Sequence, residues 1–302
     1  MTDTAVDPFL EMSNCLDNYI LVDVGANLTS RKFSRDLESV ISRAKDSGVQ
    51  KIIVCSQTIK GSKEAMRLSQ IFPGMIYSMA GVYPHEAKSW EPETLGELRE
   101  IAKNTECVAI GQCGLDYCKN FSTPEVQRDV FRAQVELACQ LKKPLCIHER
   151  DAFDDAMSIL NEFKAELPPV VLLSYTGPSS NVQKYIDMGI YLGITGYITK
   201  DNSGEGVQAL LDKGTLPMEQ LLVQSDAPFM YPNARASKLP DHVKGGLTER
   251  STNYLQRYCT FTRNEPCSLP IIVEILAAFM KKSPEDIALA TAFNALKIFG
   301  LS

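Results

Sequence analysis

The sequence lacks the features that would place it in several large classes. No apolar stretch approaches the roughly 20 residues needed to cross a bilayer, so no membrane-spanning helix is expected. The first 18 residues carry Asp3, Asp7, Glu11 and Asp17 without a basic start or an apolar centre, so no secretory signal is expected. Nine cysteines (15, 55, 107, 113, 118, 139, 146, 259 and 267) form no Cys-x-x-Cys pair, which argues against disulfides and a cysteine zinc site. Reduced thiols imply a reducing compartment, cytosol or nucleus. Positive charge is not in surplus: 31 Lys+Arg face 37 Asp+Glu, a formal net charge of −6. A polyanion must then be met by a local basic patch or a bound cation.

What is present is the composition of an ordinary globular chain: 302 residues, 44% apolar and 23% charged. No linker, repeat or low-complexity tract divides it. Residues 1–18 read as a mobile N-terminal extension, and residues 19–302 as one domain.

Short apolar, β-branched runs recur at Tyr19–Val24, Lys51–Cys55, Met75–Val82, Cys107–Gly111, Pro144–His148, Pro169–Leu173, Gly189–Ile194 and Gln220–Val223. Between them lie segments with helical spacing. Ser122-Thr123-Pro124-Glu125 starts one, with Val126, Val130, Ala133, Leu137 and Leu141 along a face. Ser283-Pro284-Glu285 starts the last, with Leu289, Phe293 and Leu296 as its expected buried stripe. Eight buried strands joined by helical crossovers predict an α/β fold, a (β/α)8 TIM barrel. A doubly wound open sheet is the alternative, but Val24-Gly25-Ala26-Asn27-Leu28 lacks its phosphate-binding glycine pattern.

The stretch from Ala227 to Ser268 shows no clear regular structure. It holds Arg235, Lys238, Lys244, Arg250, Arg257 and Arg263 against Asp241, Glu249 and Glu265, with Phe229, Tyr231, Tyr254, Tyr258 and Phe261 interleaved. It reads either as a basic rim that holds phosphates and stacks a base, or as a lid packed over the barrel mouth.

A parallel barrel places its chemistry just after the strands. Those positions hold Asp23, Ser56, Tyr83 with His85, Gln112 with Asp116, His148 with Arg150 and Asp151, Ser174 with Tyr175, Thr195, and Asp226. Only three histidines exist, and two of them are here. Imidazole and carboxylate together are ligands for divalent metals. Cys113 and Cys118 read as buried or loop thiols rather than a nucleophile. His242 reads as exposed in the long loop, and Trp90 as packed beneath the His85 loop.

These residues carry a resemblance. Asp23-Val-Gly-Ala-Asn-Leu-Thr-Ser30, Gly81-Val-Tyr-Pro-His85, Ala109-Ile-Gly-Gln-Cys-Gly-Leu-Asp-Tyr117, Ile147-His-Glu-Arg-Asp151, Gly193-Ile-Thr-Gly196, Ser225-Asp-Ala-Pro228 and Arg263-Asn-Glu-Pro266 resemble, in order, the motifs of the TatD family of metal-dependent deoxyribonucleases. The resemblance implies an amidohydrolase-type barrel that hydrolyses DNA phosphodiesters with Mg²⁺ or Mn²⁺, often as a 3′-to-5′ exonuclease in DNA breakdown. It implies catalytic roles for Asp226, His85 and Asp116, metal contacts at His148 and Asp226, and substrate contacts at Arg150, Arg263, Asn264 and Glu265.

The chain departs from that pattern. Tyr83 stands where the family has histidine, Gln112 where it has a metal-binding glutamate, Ser174 where it has histidine, and Gln224 where it has glutamate. Two cations about 3.5–4 Å apart need anionic ligands between them. An amide at Gln112 supplies no charge, and the short hydroxyl of Ser174 is a weak ligand. One weakly held ion, or none, is the expectation. The functional alternatives are therefore a weak nuclease, a catalytically impaired barrel that binds DNA, a nucleotide or a protein, or a hydrolase of another phosphoester or an amide.

Overall fold

The computed structural model describes residues 19–119, 121–201 and 203–301. The extension expected over residues 1–18 lies outside the described residues. Eight parallel strands stand in sequence order in one sheet: β1 (Leu21–Ala26), β2 (Val49–Val54), β3 (Ile76–Ala80), β4 (Cys107–Asp116), β5 (Leu145–Arg150), β6 (Val170–Leu172), β7 (Tyr191–Ile194) and β8 (Leu221–Val223). Sequential order excludes the doubly wound alternative, whose strand order reverses at a switch point. The sheet closes on itself where Asp226 donates its backbone N–H to the Gly25 carbonyl at 3.0 Å and Asn27 to that of Ala227 at 2.7 Å.

Alternation along the strands sorts the core into two layers. Val22, Val24, Ile53, Met79, Ala109, Cys146, Val171 and Leu222 pack with one another in one apolar cluster, the barrel interior. Leu21, Ile52, Ile76, Ile110, Leu145, Leu172 and Val223 pack in the other, against the surrounding helices. The helices are α1 (Leu37–Asp46), α2 (Ile59–Ile71), α3 (Thr94–Ala102), α4 (Pro124–Leu141), α5 (Phe153–Glu162), α6 (Ser179–Asp187), α7 (Val207–Asp212), α8 (Asp241–Gly245), α9 (Glu249–Tyr258), α10 (Leu269–Met280) and α11 (Pro284–Phe299).

Three expectations are corrected. In α11 the Ser283 cap and Pro284 are as expected, but Leu289 and Phe293 are 62% and 63% exposed. Ala292, Ala295, Ile298 and Phe299 join the barrel-interior cluster instead. The helix carries two apolar stripes, and the one with small residues fits the closed end of the barrel. In α4, Val126 sits exposed in the first turn, while Val130, Phe131, Val135, Leu137 and Ala138 form the buried face. The segment 227–268 contains α8 and α9, and Thr248 caps α9 by accepting from the Ser251 N–H. Only Ser251 and Leu255 of α9 are buried, so its sequence shows little apolar periodicity.

Strand β4 runs past its expected end at Gly111 to Asp116. Gly114 allows this: a Cβ there would lie 2.0 Å from the His148 carbonyl oxygen, so only glycine lets β4 approach β5 so closely. That approach brings Asp116 beside His148.

Candidate active site at the strand ends

A cavity of about 1050 Å³ opens at the C-terminal ends of the strands. His85, Gln112, Asp116, His148, Arg150, Ser174 and Asp226 all line it, joined by Tyr83, Lys119, Glu149, Asp151, Tyr197 and Phe229. Among the described residues six have φ > 0 without being glycine; four of them, Asp151, Ser174, Asp226 and Met230, line this cavity. Left-handed backbone at such residues is costly, and it gathers where the fold aims side chains at a site.

On the β3–β5 side, Asp116 is 1% exposed and its Oδ2 meets His85 Nε2 at 2.9 Å and His148 Nε2 at 3.3 Å. Its Oδ1 accepts from the Cys118 N–H at 3.0 Å, and Gln127 on α4 braces the Asp116 backbone at both N–H and C=O. Burial pushes the Asp116 carboxyl up, but hydrogen bonds and attraction from the imidazoles outweigh it and hold the pKa at about 2. Asp116 therefore stays ionised and orients both histidines. Tyr83 packs its ring 4.8 Å from that of His85 and 5.1 Å from that of His148. Burial, then the negative Asp116 and Asp226, push its hydroxyl up, so it is a neutral phenol.

On the β6–β8 side the groups are neutral. Gln224 donates from Nε2 to Ser174 Oγ at 2.8 Å, and its Oε1 accepts from the Ser174 N–H at 2.9 Å. Asp226 is the carboxylate here. Burial first, then repulsion by Asp23, raise it to about 7, and a hydrogen bond with Ser174 opposes them. Asp23 is wholly buried, accepting from the Ser225 N–H at 2.9 Å and hydroxyl at 2.5 Å; burial lifts it to about 6 against these bonds. Its signal in the sequence was an acid inside an apolar strand, which must find donors once buried.

Arg263, Asn264 and Glu265, expected to contact substrate, lie outside the cavity lining. Arg263 pairs with Asp36 at 2.7 Å and with Glu265. Glu265, fully buried, also accepts from Arg43 Nε at 2.8 Å. Asn264 donates to the Ser225 carbonyl at 2.9 Å. These three brace the chain beyond β8 against α1. Of the 227–268 segment only Phe229 and Met230 reach the cavity, so its basic residues do not form a rim there. His242 is exposed and Trp90 packs against Val82, Ala87 and Val130. The eight cysteines among the described residues are free, with Cys113 buried and Cys118 exposed.

A divalent ion is the cofactor such a site implies. Facing the cavity are the imidazole of His148, the carboxyl of Asp226, the amide of Gln112 and the hydroxyl of Ser174. Among the described residues, no three His, Cys, Asp or Glu side chains are grouped to hold a metal. This donor set fits one hard cation that keeps most of its water, because Asp226 and His148 are ligands for such an ion. Gln112, an amide, brings no charge with which to bridge a second cation.

An eight-stranded parallel barrel with imidazoles and carboxylates at its strand ends defines a barrel hydrolase. The chain belongs to the family of TatD-related DNases, whose model matches residues 22–300. It is 34% identical over 281 residues to the 3′-5′ ssDNA/RNA exonuclease TatD of Erwinia billingiae, covering 93% of this chain and 99% of that protein. The protein of the same name from Salmonella typhimurium is 34% identical over 279 residues, 92% of this chain and 98% of its own. Among solved structures, a TatD-family hydrolase from Entamoeba histolytica superposes with a TM-score of 0.79 at 21% identity, covering 94% of this chain and 99% of that one. Family membership makes the chain an enzyme of the metal-dependent hydrolase class. No helix among the described residues is long and apolar enough to cross a membrane.

Proposed function

We propose that the chain hydrolyses phosphodiester bonds of DNA from a 3′ end, with one weakly held Mg²⁺ or Mn²⁺. The observation that carries this reading is the convergence of His85, Asp116, His148 and Asp226 on one cavity at the strand ends. Asp226 and His148 would hold the ion, and the Gln112 carbonyl could add a neutral oxygen. When bound, the ion neutralises charge developing on the phosphoryl oxygens. Asp116 orients the two imidazoles and, with a pKa of about 2, does not take up a proton near neutrality. With Nε2 of His85 held by Asp116, its other ring nitrogen, Nδ1, is left for proton transfer, and Arg150 and Lys119 offer cations to the flanking phosphates. The lining holds the carboxylates Asp116, Glu149, Asp151, Asp154, Asp155 and Asp226 against the cations Lys119 and Arg150. A polyanion entering this mouth needs a cation with it. Reduced thiols suit a cytosolic setting.

The test is cleavage of a 5′-labelled single-stranded oligonucleotide. Stepwise loss from the 3′ end in Mg²⁺ or Mn²⁺, abolished by chelator and reduced about a thousandfold in Asp226→Ala, is expected. Cleavage unchanged in Asp226→Ala removes the reading. The neutral Ser174–Gln224 pair and the amide of Gln112 at the strand ends favour a second reading, a barrel that binds nucleic acid without efficient cutting. Strand binding with no product at millimolar Mn²⁺ selects that reading.

A further inference from the structure

Among the described residues Phe121, Phe229, Phe261 and Phe293 are exposed phenylalanines, and two of them, Phe229 and Phe261, stand on loops tied to each other beyond β8. Phe229 is 50% exposed and lines the cavity just beyond β8. Phe261 is 68% exposed and stacks against Tyr231 with ring centroids 4.7 Å apart. The rings belong to one patch. The Asn264 N–H donates to the Pro228 carbonyl at 3.0 Å, tying the turn that carries Phe261 to the loop that carries Phe229. Within that turn, Thr260 and Arg263 pair as an antiparallel bridge. Lys32 completes the patch: its Nζ lies 5.7 Å from the Phe229 centroid and donates to the Thr262 carbonyl. The partly buried Arg43–Glu265–Arg263–Asp36 network beneath, centred on the buried Glu265, holds this arrangement in place.

Leaving a phenylalanine two-thirds exposed forgoes the stabilisation that burial would bring. A sequence-tolerant use for exposed rings beside a cation is to stack the faces of unpaired bases while the cation meets the backbone phosphates. We propose that Phe229 and the Tyr231–Phe261 pair, with Lys32 between them, form a base-stacking track for single-stranded nucleic acid leading into the cavity. The inference rests on the reading of the cavity as a nucleic-acid site and adds the residues that set its strand preference. Duplex is a poor ligand for such a track, because its bases are already stacked on one another. Phe229 takes the base nearest the cavity, and Phe261 takes one further out.

The test is fluorescence anisotropy in Mg²⁺ with labelled oligothymidylate whose phosphorothioate linkages resist cutting. The ligands are an eight-nucleotide strand, a dinucleotide and an abasic strand of eight sugar-phosphates. Phe229→Ala is expected to weaken the eight-nucleotide strand and the dinucleotide by about 5- to 20-fold, and Phe261→Ala the longer strand only. Phe229→Trp restores binding, the abasic strand is indifferent to both alanine variants, and Ile71→Ala on α2 serves as the surface control. Unchanged binding of the long strand in both alanine variants overturns the track. So does an equal loss for the abasic strand, or a wild-type chain that binds no single strand. A chain that binds as described but leaves DNA uncut in Mn²⁺ keeps the track and removes the catalytic reading.

Discussion

On the β3–β5 side of the cavity floor, Asp116 stands ionised between two imidazoles; on the β6–β8 side, Ser174 and Gln224 close on each other as a neutral hydroxyl–amide pair. The first side is organised by a charge that stays charged. The second has one acid, Asp226, whose pKa is raised to about 7 by burial and by Asp23 below it. The floor therefore presents oriented imidazoles on one side and, on the other, an acid that burial holds partly protonated near neutrality. The difference lies in charge rather than packing: both sides are closely packed, and the carboxylate that stays ionised stands on the first.

The contrast breaks most sharply on its charged side. Asp116→Asn removes the carboxylate that both histidines share, and a loss of about 10- to 100-fold in cleavage rate is expected, since such orienting partners carry effects of that size. The same variant changes acid stability. The folded pKa of Asp116, about 2, lies below its ordinary 3.8, so its stabilisation is complete above about pH 4 and is lost as pH falls towards 2. Acid unfolding followed by circular dichroism should therefore be less steep across that window in the variant.

The buried acid beneath the neutral side works with the opposite sign. Asp23 has a folded pKa of about 6 against an ordinary 3.8, so the folded state holds the proton longer and stability declines as pH rises from about 4 through 6. That ionisation costs at most about 3 kcal/mol. Asp23→Asn keeps the volume and removes the charge, and urea unfolding at pH 5 and pH 8 should show that decline flattened. An undiminished decline in the variant assigns it elsewhere, Asp226 first. A smaller effect sharpens the contrast: Gln112→Glu adds charge where the floor has none, and Mn²⁺ affinity should tighten about 10-fold, the lower end of what one metal-site partner contributes.

Much of this was legible before the fold was known. Eight Val-, Ile- and Leu-rich runs announced the barrel, because strands covered on both faces read as continuous apolar segments. Once the topology was granted, His85, Gln112, His148, Ser174 and Asp226 fell at strand ends and now line the cavity. Residues whose partners are distant in sequence were not legible. Glu265 meets Arg43, and Arg263 meets Asp36, across more than 200 positions, so a basic motif that reads as a substrate contact braces a loop instead. In α11, Leu289 and Ala292 belong to competing apolar stripes, and the space at the barrel end decided between them. Strand β4 outran its expected end at Gly111 because the residues beyond, Gln112 to Asp116, are not a continuous apolar run, and Gly114 permits the close approach to β5.

Calorimetric titration of the metal-free protein with Mn²⁺ at pH 8, where Asp226 is largely ionised, bears most directly on the floor's missing charge. The expected result is weak binding of no more than one ion per chain, strengthening as pH rises through about 7. Two ions bound per chain, with an affinity indifferent to pH, would contradict it.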